Sequence, residues 1–230
     1  MTRLTVAWGY RCGRNDVDDV VTLSDVLDDT TTPGAGIDER TLDLLFRDAR
    51  TTGRFLDTPV PDELLRHVHD TVRWGPTAMN TVPLRMLVVR SSDARERLAA
   101  HMSEFNRARV LAAPVTLVVA ADTDFHLHLP TLTPHAPTSG DGLAGVPEVR
   151  ARMARDNAWL QTGYLVVGLR AAGLGVGPMT GMDADGVDGE FFAGTSWRTL
   201  AVLNVGWPDG EGTDRPRAPR LAWDQVARVV

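Results

Sequence analysis

Lysine is absent from all 230 residues, so each of the 24 basic side chains is an arginine. Without lysine there is no Walker-type phosphate loop and no Schiff-base enzyme of the pyridoxal kind. Cysteine occurs once, at Cys12. A single thiol excludes an internal disulfide, a cysteine-based zinc site and a cysteine-ligated iron–sulfur cluster. Aromatics are sparse at 6%, and no apolar run approaches the roughly 18 residues of a membrane span. The opening stretch MTRLTVAWGYRCGRND lacks the apolar segment of a secretory signal, which makes the cytoplasm the expected compartment. No G-x-S-x-G nucleophile elbow is present. The net charge of −6 argues against a nucleic-acid partner.

What is there reads as one globular core, with 43% apolar and 23% charged residues. Residues 1–40 carry eight acidic side chains against four arginines and no sustained apolar period. Residues 1–38 are therefore expected to be a flexible acidic extension, and 39–230 a single folded domain. Helical spacing starts in DERTLDLLFRDAR, where Leu42, Leu45, Phe46 and Ala49 share one face. A second helix is expected in PDELLRHVHDTVRW, with Pro61 at its start and Asp62 and Glu63 in its first turn. LRMLVVR reads as a strand, SSDARERLAAHM as a helix with a serine cap, and PVTLVVAAD as a buried strand. Residues 103–113 carry no assignment. Residues 122–147 read as a long, proline-rich polar loop. A long helix should then run from about Pro147 to Ala172, its second half apolar on nearly every side. LGVGPMTGMD reads as a glycine-rich break, DADGVDGEFFAG as a short helix, RTLAVLNVGWP as a strand and AWDQVARVV as a closing helix. Alternating helices and strands imply an α/β or α+β domain.

Few constellations single themselves out. GLGVGPMTG follows a helix, whereas a dinucleotide fingerprint follows a strand and opens a helix, so a Rossmann site is not expected. Its backbone N–H groups are still suited to the polar edge of a planar ligand. His126, His128 and His135 share one loop without a well-placed carboxylate, which favours a surface or substrate loop over a metal site. Arg50, Arg54, Arg217 and Arg220 lie beside glycine, proline or chain ends, where guanidinium forks suit phosphate. Bringing Arg50 to Arg220 would require the two ends of the domain to meet. The stretch GPTAMNTVPLR is longer and more polar than a plain helix-to-strand connection needs, so a site is expected on it.

Five stretches in this order resemble the FMN-dependent nitroreductase family: LDLLFRDART, GPTAMNTVPLR, DNAWLQTGYLVVGLRAAGLGVGPMTGMD, GVDGEFFAGT and PRAPRL. The likeness leans toward the branch of malonic-semialdehyde reductases. It implies an α+β fold, a nitroreductase-like sandwich with a central mixed sheet flanked by helices, in a homodimer with exchanged termini and FMN at the interface. By the same resemblance Arg50 and Thr51 hold the FMN phosphate or pyrimidine edge. The family's second arginine is Gly53 here, with Arg54 next to it as a substitute. The family's Pro-Ser-x-x-Asn corresponds to Pro76-Thr77-Ala78-Met79-Asn80, so Pro76 and Thr77 shape the flavin wall and Asn80 supplies an amide. The glutamine and tryptophan that commonly follow that asparagine are Val82 and Leu84 in this chain. Pro178 and Met179 would pack on the ring, and the N–H of Thr180 or Gly181 would face its N5 atom. Arg220, with Arg217 second, would grip the phosphate.

The implied activity is ping-pong transfer of hydride from NADH or NADPH through FMN to a small semialdehyde, nitro compound, quinone or enone. The 122–147 loop is the expected specificity element, and no metal is implied. Two other readings remain: a flavin-dependent dehydrogenase or oxidase of a tailoring intermediate, and a dimeric binding protein that has lost its flavin. Gly53, Val82 and Leu84 support the last of these.

Overall fold

The computed structural model describes residues 36–210 and 216–230. The acidic extension expected over 1–38 lies almost wholly outside the described residues. The chain divides into two compact units, 1–47 and 48–230.

In the first unit one turn of helix, α1 (Glu39–Leu42), is capped by Asp38, whose carboxylate accepts the Thr41 N–H at 2.8 Å. It widens at once into a π turn, Asp43–Arg47, on which Arg47 pairs with Glu39 and Asp43. A π turn adds residues per revolution and so rotates the expected apolar face. Leu45 is buried while Phe46 is 52% exposed, contrary to the simple helical spacing.

The second unit is built on a four-stranded sheet: β1 (Leu84–Val89), β2 (Val115–Asp122), β3 (Gly175–Met179) and β4 (Trp197–Gly206), in the order β1-β2-β4-β3. Between these strands run α2 (Asp62–Val72), α3 (Ser92–Ala100), α4 (Glu104–Ala112), α5 (Leu129–Leu132), α6 (Pro147–Ala171) and α7 (Ala184–Phe191). A single turn, α8 (Trp223–Val226), follows β4. Each strand pair is antiparallel, with Leu84 opposite Ala121, Val115 opposite Val205 and Gly175 opposite Gly206. The expected mixed character shrinks to one isolated parallel bridge, Thr51 with Val176. Only residues 51–52 run beside β3 before the chain turns away.

β2 is buried along its whole length and sorts its side chains to two faces. Val115, Leu117 and Val119 meet Val68 of α2 and Leu165 and Leu169 of α6. Val118 and Ala120 meet Leu98 of α3, Val110 of α4 and Val187 of α7. The result is an α+β sandwich with helices on both faces. The buried Thr116 hydroxyl donates to Asn204 at 2.9 Å, and the Asn204 amide donates to the Arg109 carbonyl, so both buried polar groups are satisfied.

Several expectations needed the tertiary structure to correct them. LGVGPMTGMD contains a strand, β3, despite three glycines and a proline. Pro178 is tolerated because β3 lies at the sheet edge, where a missing N–H costs no ladder bond. The unassigned residues 103–113 contain α4. The proline-rich loop is a docked segment: a 3-10 turn (Phe125–His128) and α5 bury Phe125 and Leu129 against Ala154 and Ala158 of α6. The closing helix is only the turn α8. A segment this short has little helical stability without packing, and Leu221, Trp223 and Val226 are all exposed. Finally, α6 is not buried all round, since Trp159 is 38% and Leu160 45% exposed.

Candidate functional site

Three polar residues on α6 explain the shape of the loop before β1. Asn157, Gln161 and Tyr164 follow one another at i, i+4 and i+7, which places them on one stripe of the helix. The Asn157 Oδ1 accepts the Ala78 N–H at 2.7 Å, Gln161 Oε1 accepts the Leu84 N–H at 2.9 Å, and the Tyr164 hydroxyl donates to the Pro76 carbonyl at 3.1 Å. Asn157 and Gln161 are buried, so these are bonds shielded from water. Gly75 lets the ring of Tyr164 lie against the chain, because a Cβ there would come within 2.3 Å of it.

Between these anchors the backbone takes an unusual path. Met79, Asn80 and Val82 have φ of 54, 53 and 39°, the left-handed region that non-glycine residues avoid. For a β-branched residue such as Val82 this is a true outlier, and such strain gathers at functional sites. The Thr77 hydroxyl oxygen accepts the Val82 N–H at 3.3 Å. The Asn80 amide nitrogen donates to the Leu132 carbonyl at 2.8 Å, which ties the turn to α5.

The second candidate segment is built by omission of side chains. The Thr52 N–H donates to the Val176 carbonyl at 2.9 Å. This approach requires Gly175 and Gly177, since a Cβ at Gly177 would sit 2.6 Å from the Thr52 carbonyl oxygen. Arg50 and Thr51 are thereby brought beside the strand that carries Pro178 and Met179. Past the strand, the Gly181 carbonyl accepts from the Ser103 N–H at 3.0 Å and from Asn106 Nδ2 at 3.1 Å, and the Thr180 carbonyl accepts from the Met182 N–H at 3.0 Å.

A cavity of about 340 Å³ lies between this strand and the central helix. Pro178, Met179 and Thr180 form one wall, and Trp159, Thr162, Gly163 and Val166 of α6 the other. The helix residues were not expected there from the sequence, because spacing along a helix does not say which neighbour each of its faces meets. A Cβ at Gly163 would meet nothing within 4 Å among the described residues, so none of them requires a glycine at that point.

The ends of the domain do meet. Arg217 Nη2 donates to the Ala49 carbonyl at 2.7 Å, which puts the C-terminal segment next to Arg50. Burial, and then the nearby Arg217 charge, hold the Arg170 guanidinium below its ordinary value. Arg170 in the last turn of α6 is thus a member of the arginine group that the sequence did not single out. Arg54 lies on the same segment, its carbonyl accepting the Asp209 N–H at 3.3 Å. Arg220 instead donates to the adjacent Ala218 and Pro219 carbonyls, both at 3.1 Å.

The histidines do not converge. His126 is half-buried with its Nδ1 enclosed and without a hydrogen-bond partner, His128 Nε2 stands 3.7 Å from Asp122 Oδ2, and His135 is exposed. Among the described residues no three histidine, cysteine or carboxylate side chains lie close enough to hold a metal ion.

Comparison with known proteins agrees with this fold. The profile of the Nitroreductase family matches residues 47–207. A Streptomyces coelicolor protein, provisionally named NADH dehydrogenase/NAD(P)H nitroreductase, is 48% identical over 194 residues, covering 84% of this chain and 98% of its own. Among solved structures, a nitroreductase family protein from Streptococcus pneumoniae superposes with a TM-score of 0.68 at 22% identity, over 81% of this chain and 98% of that one. A provisionally named nitroreductase from Exiguobacterium sibiricum, solved in complex with FMN, gives 0.72 at 16% identity, over 86% of this chain and 100% of that one. At these identities the structural likeness is one of fold.

Proposed function

The chain belongs to the nitroreductase family, and on that premise we propose that it is an FMN-dependent NAD(P)H oxidoreductase acting as a cytoplasmic homodimer. The observation that carries the reading is the cavity between β3 and α6, with the group of arginines on the chain segments that β3 and α6 anchor. The residues present fit the cofactor. An apolar slot with a glycine-opened wall suits a flat ring, and guanidinium groups near residue 49 suit a phosphate.

Bound FMN would supply hydride-transfer chemistry between NADH or NADPH and a small oxidised substrate, in a ping-pong order. Everything else is the work of this chain. Arg50, Thr51, Arg54 and Arg217 would hold the phosphate and pyrimidine edge, with Arg220 in reserve and Arg170 adding positive charge behind them. Asn80, with one N–H given to the Leu132 carbonyl, would offer its amide oxygen and second N–H from the strained turn. Pro76 and Thr77 shape the flavin wall. Pro178 and Met179 would pack against the ring, and the N–H of Thr180 or Gly181 would be the fixed backbone donor beside its reactive edge.

The second copy packs on the exposed face of α6. Trp159 and Leu160 are apolar and part-exposed, and Gly163, which lines the slot at that face, costs the helix stability without touching any described side chain. The substrate is a small semialdehyde (malonic semialdehyde by the branch resemblance), a nitro compound, a quinone or an enone. Residues 122–147, with His126, His128 and His135, select among them.

The test is the visible spectrum of the purified protein, recorded anaerobically before and after NADH and NADPH. A flavin band that bleaches with either nucleotide supports the reading, and a substrate screen follows. A colourless protein that stays colourless with added FMN sinks it.

A further inference from the structure

The strained turn is held from a direction that none of the cofactor residues supplies. Arg85, the second residue of β1, turns its guanidinium back on its own chain. Its Nη1 donates to the Val82 carbonyl at 3.0 Å and to the Leu84 carbonyl at 2.9 Å. Its Nη2 donates to Asp122 Oδ2 at 2.6 Å. The Asp122 side chain is only 4% exposed, and it is fixed on its other oxygen by the Ser196 hydroxyl at 2.5 Å and the Asp124 N–H at 2.9 Å. His128 lies 3.7 Å from the carboxylate. Ser196 and His128 both face the aspartate rather than each other, so the group lacks the order of a nucleophilic triad.

A buried carboxylate with three donors is rigid, and it leaves the Arg85 fork one orientation. That orientation pins the carbonyl of Val82, the residue whose φ of 39° is the most costly in the turn. Two residues earlier in the same turn stands Asn80. We infer that Arg85 and Asp122 are positioning residues for Asn80: the pair pins the Val82 carbonyl, holds Met79, Asn80 and Val82 in the left-handed region, and so presents the Asn80 amide to the bound flavin. A long side chain at 85 with a planar fork is needed, because one nitrogen must serve the carboxylate and the other the carbonyl. The inference rests on the reading that Asn80 contacts FMN.

The experiment is FMN titration of the full-length apoprotein, followed by flavin fluorescence, for wild type, Arg85→Lys, Asn80→Ala and the double variant. Lysine at 85 keeps a cation for the buried Asp122, so this variant folds where Asp122→Asn is at risk; it cannot bridge to the Val82 carbonyl as well. Arg85→Lys and Asn80→Ala should each raise the FMN dissociation constant about tenfold, and Arg85→Lys should add nothing once Asn80 is alanine. A merely structural arginine would weaken binding by the same factor in both backgrounds, and that result overturns the inference. So does an Arg85→Lys protein with wild-type affinity, or an Asn80→Ala protein with wild-type affinity. Wild-type protein that binds no FMN overturns the proposed function along with it, whereas tight wild-type binding with additive variants overturns the positioning role alone.

Discussion

The turn at 76–84 and the strand β3 both carry residues assigned to the cofactor, and they reach their places by opposite means. The turn is held by side chains that reach its backbone: Asn157, Gln161, Tyr164 and Arg85 all bond main-chain atoms. The strand is held by side chains that are missing, with Gly175 and Gly177 letting residue 52 approach to hydrogen-bonding distance. A strained path needs external donors and acceptors to keep it. A close backbone pairing needs only room. The two regions should therefore fail differently, the first when an atom is removed and the second when one is added.

The largest effect is expected from adding. Gly177→Val forces a branched side chain onto the Thr52 carbonyl, a backbone atom that cannot swing aside. It should cost about 3 kcal/mol in urea unfolding, at the upper end of overpacking. A variant of wild-type stability would mean that residues 50–52 do not need the strand. Removal comes next. Asn157→Ala strips the acceptor from the Ala78 N–H and should cost about 2 kcal/mol by the same measurement, with faster amide exchange confined to the turn. Exchange that rises equally across β3 would erase the distinction between the two regions. The smallest effect has the opposite sign. Gly163→Ala adds a methyl where no described residue lies within 4 Å, and it should stabilise the isolated subunit by up to about 1 kcal/mol. Sedimentation of the same variant should show weaker self-association, since the methyl enters the face assigned to the second copy. An unchanged oligomer would move that face elsewhere.

Much of this contrast was legible in the chain. The apolar strand LRMLVVR, the buried strand PVTLVVAAD and the long helix from Pro147 all stand where they are expected. GPTAMNTVPLR drew notice because it was too long and too polar for a plain connection, and the structure places three left-handed residues in it. Phe46 and β3 were misread for local reasons. A π turn has no marker in spacing, and glycine-rich strands look like breaks because their stability comes from a neighbour. Arg170 could not be singled out, because its place beside Arg217 depends on a contact 47 residues away in sequence.

By itself the sequence determined the α+β alternation, the buried faces of β2 and the segments on which a site would lie, since these follow from local periodicity and from residues suited or unsuited to regular backbone. Only the tertiary structure decided that Asn157, Gln161 and Tyr164 are a polar stripe with a purpose, that Arg217 closes onto Ala49, and that Asp122 reaches the turn through Arg85. Each of these joins groups far apart along the chain, and a side chain's hydrogen-bond partner is fixed by distance and direction in space.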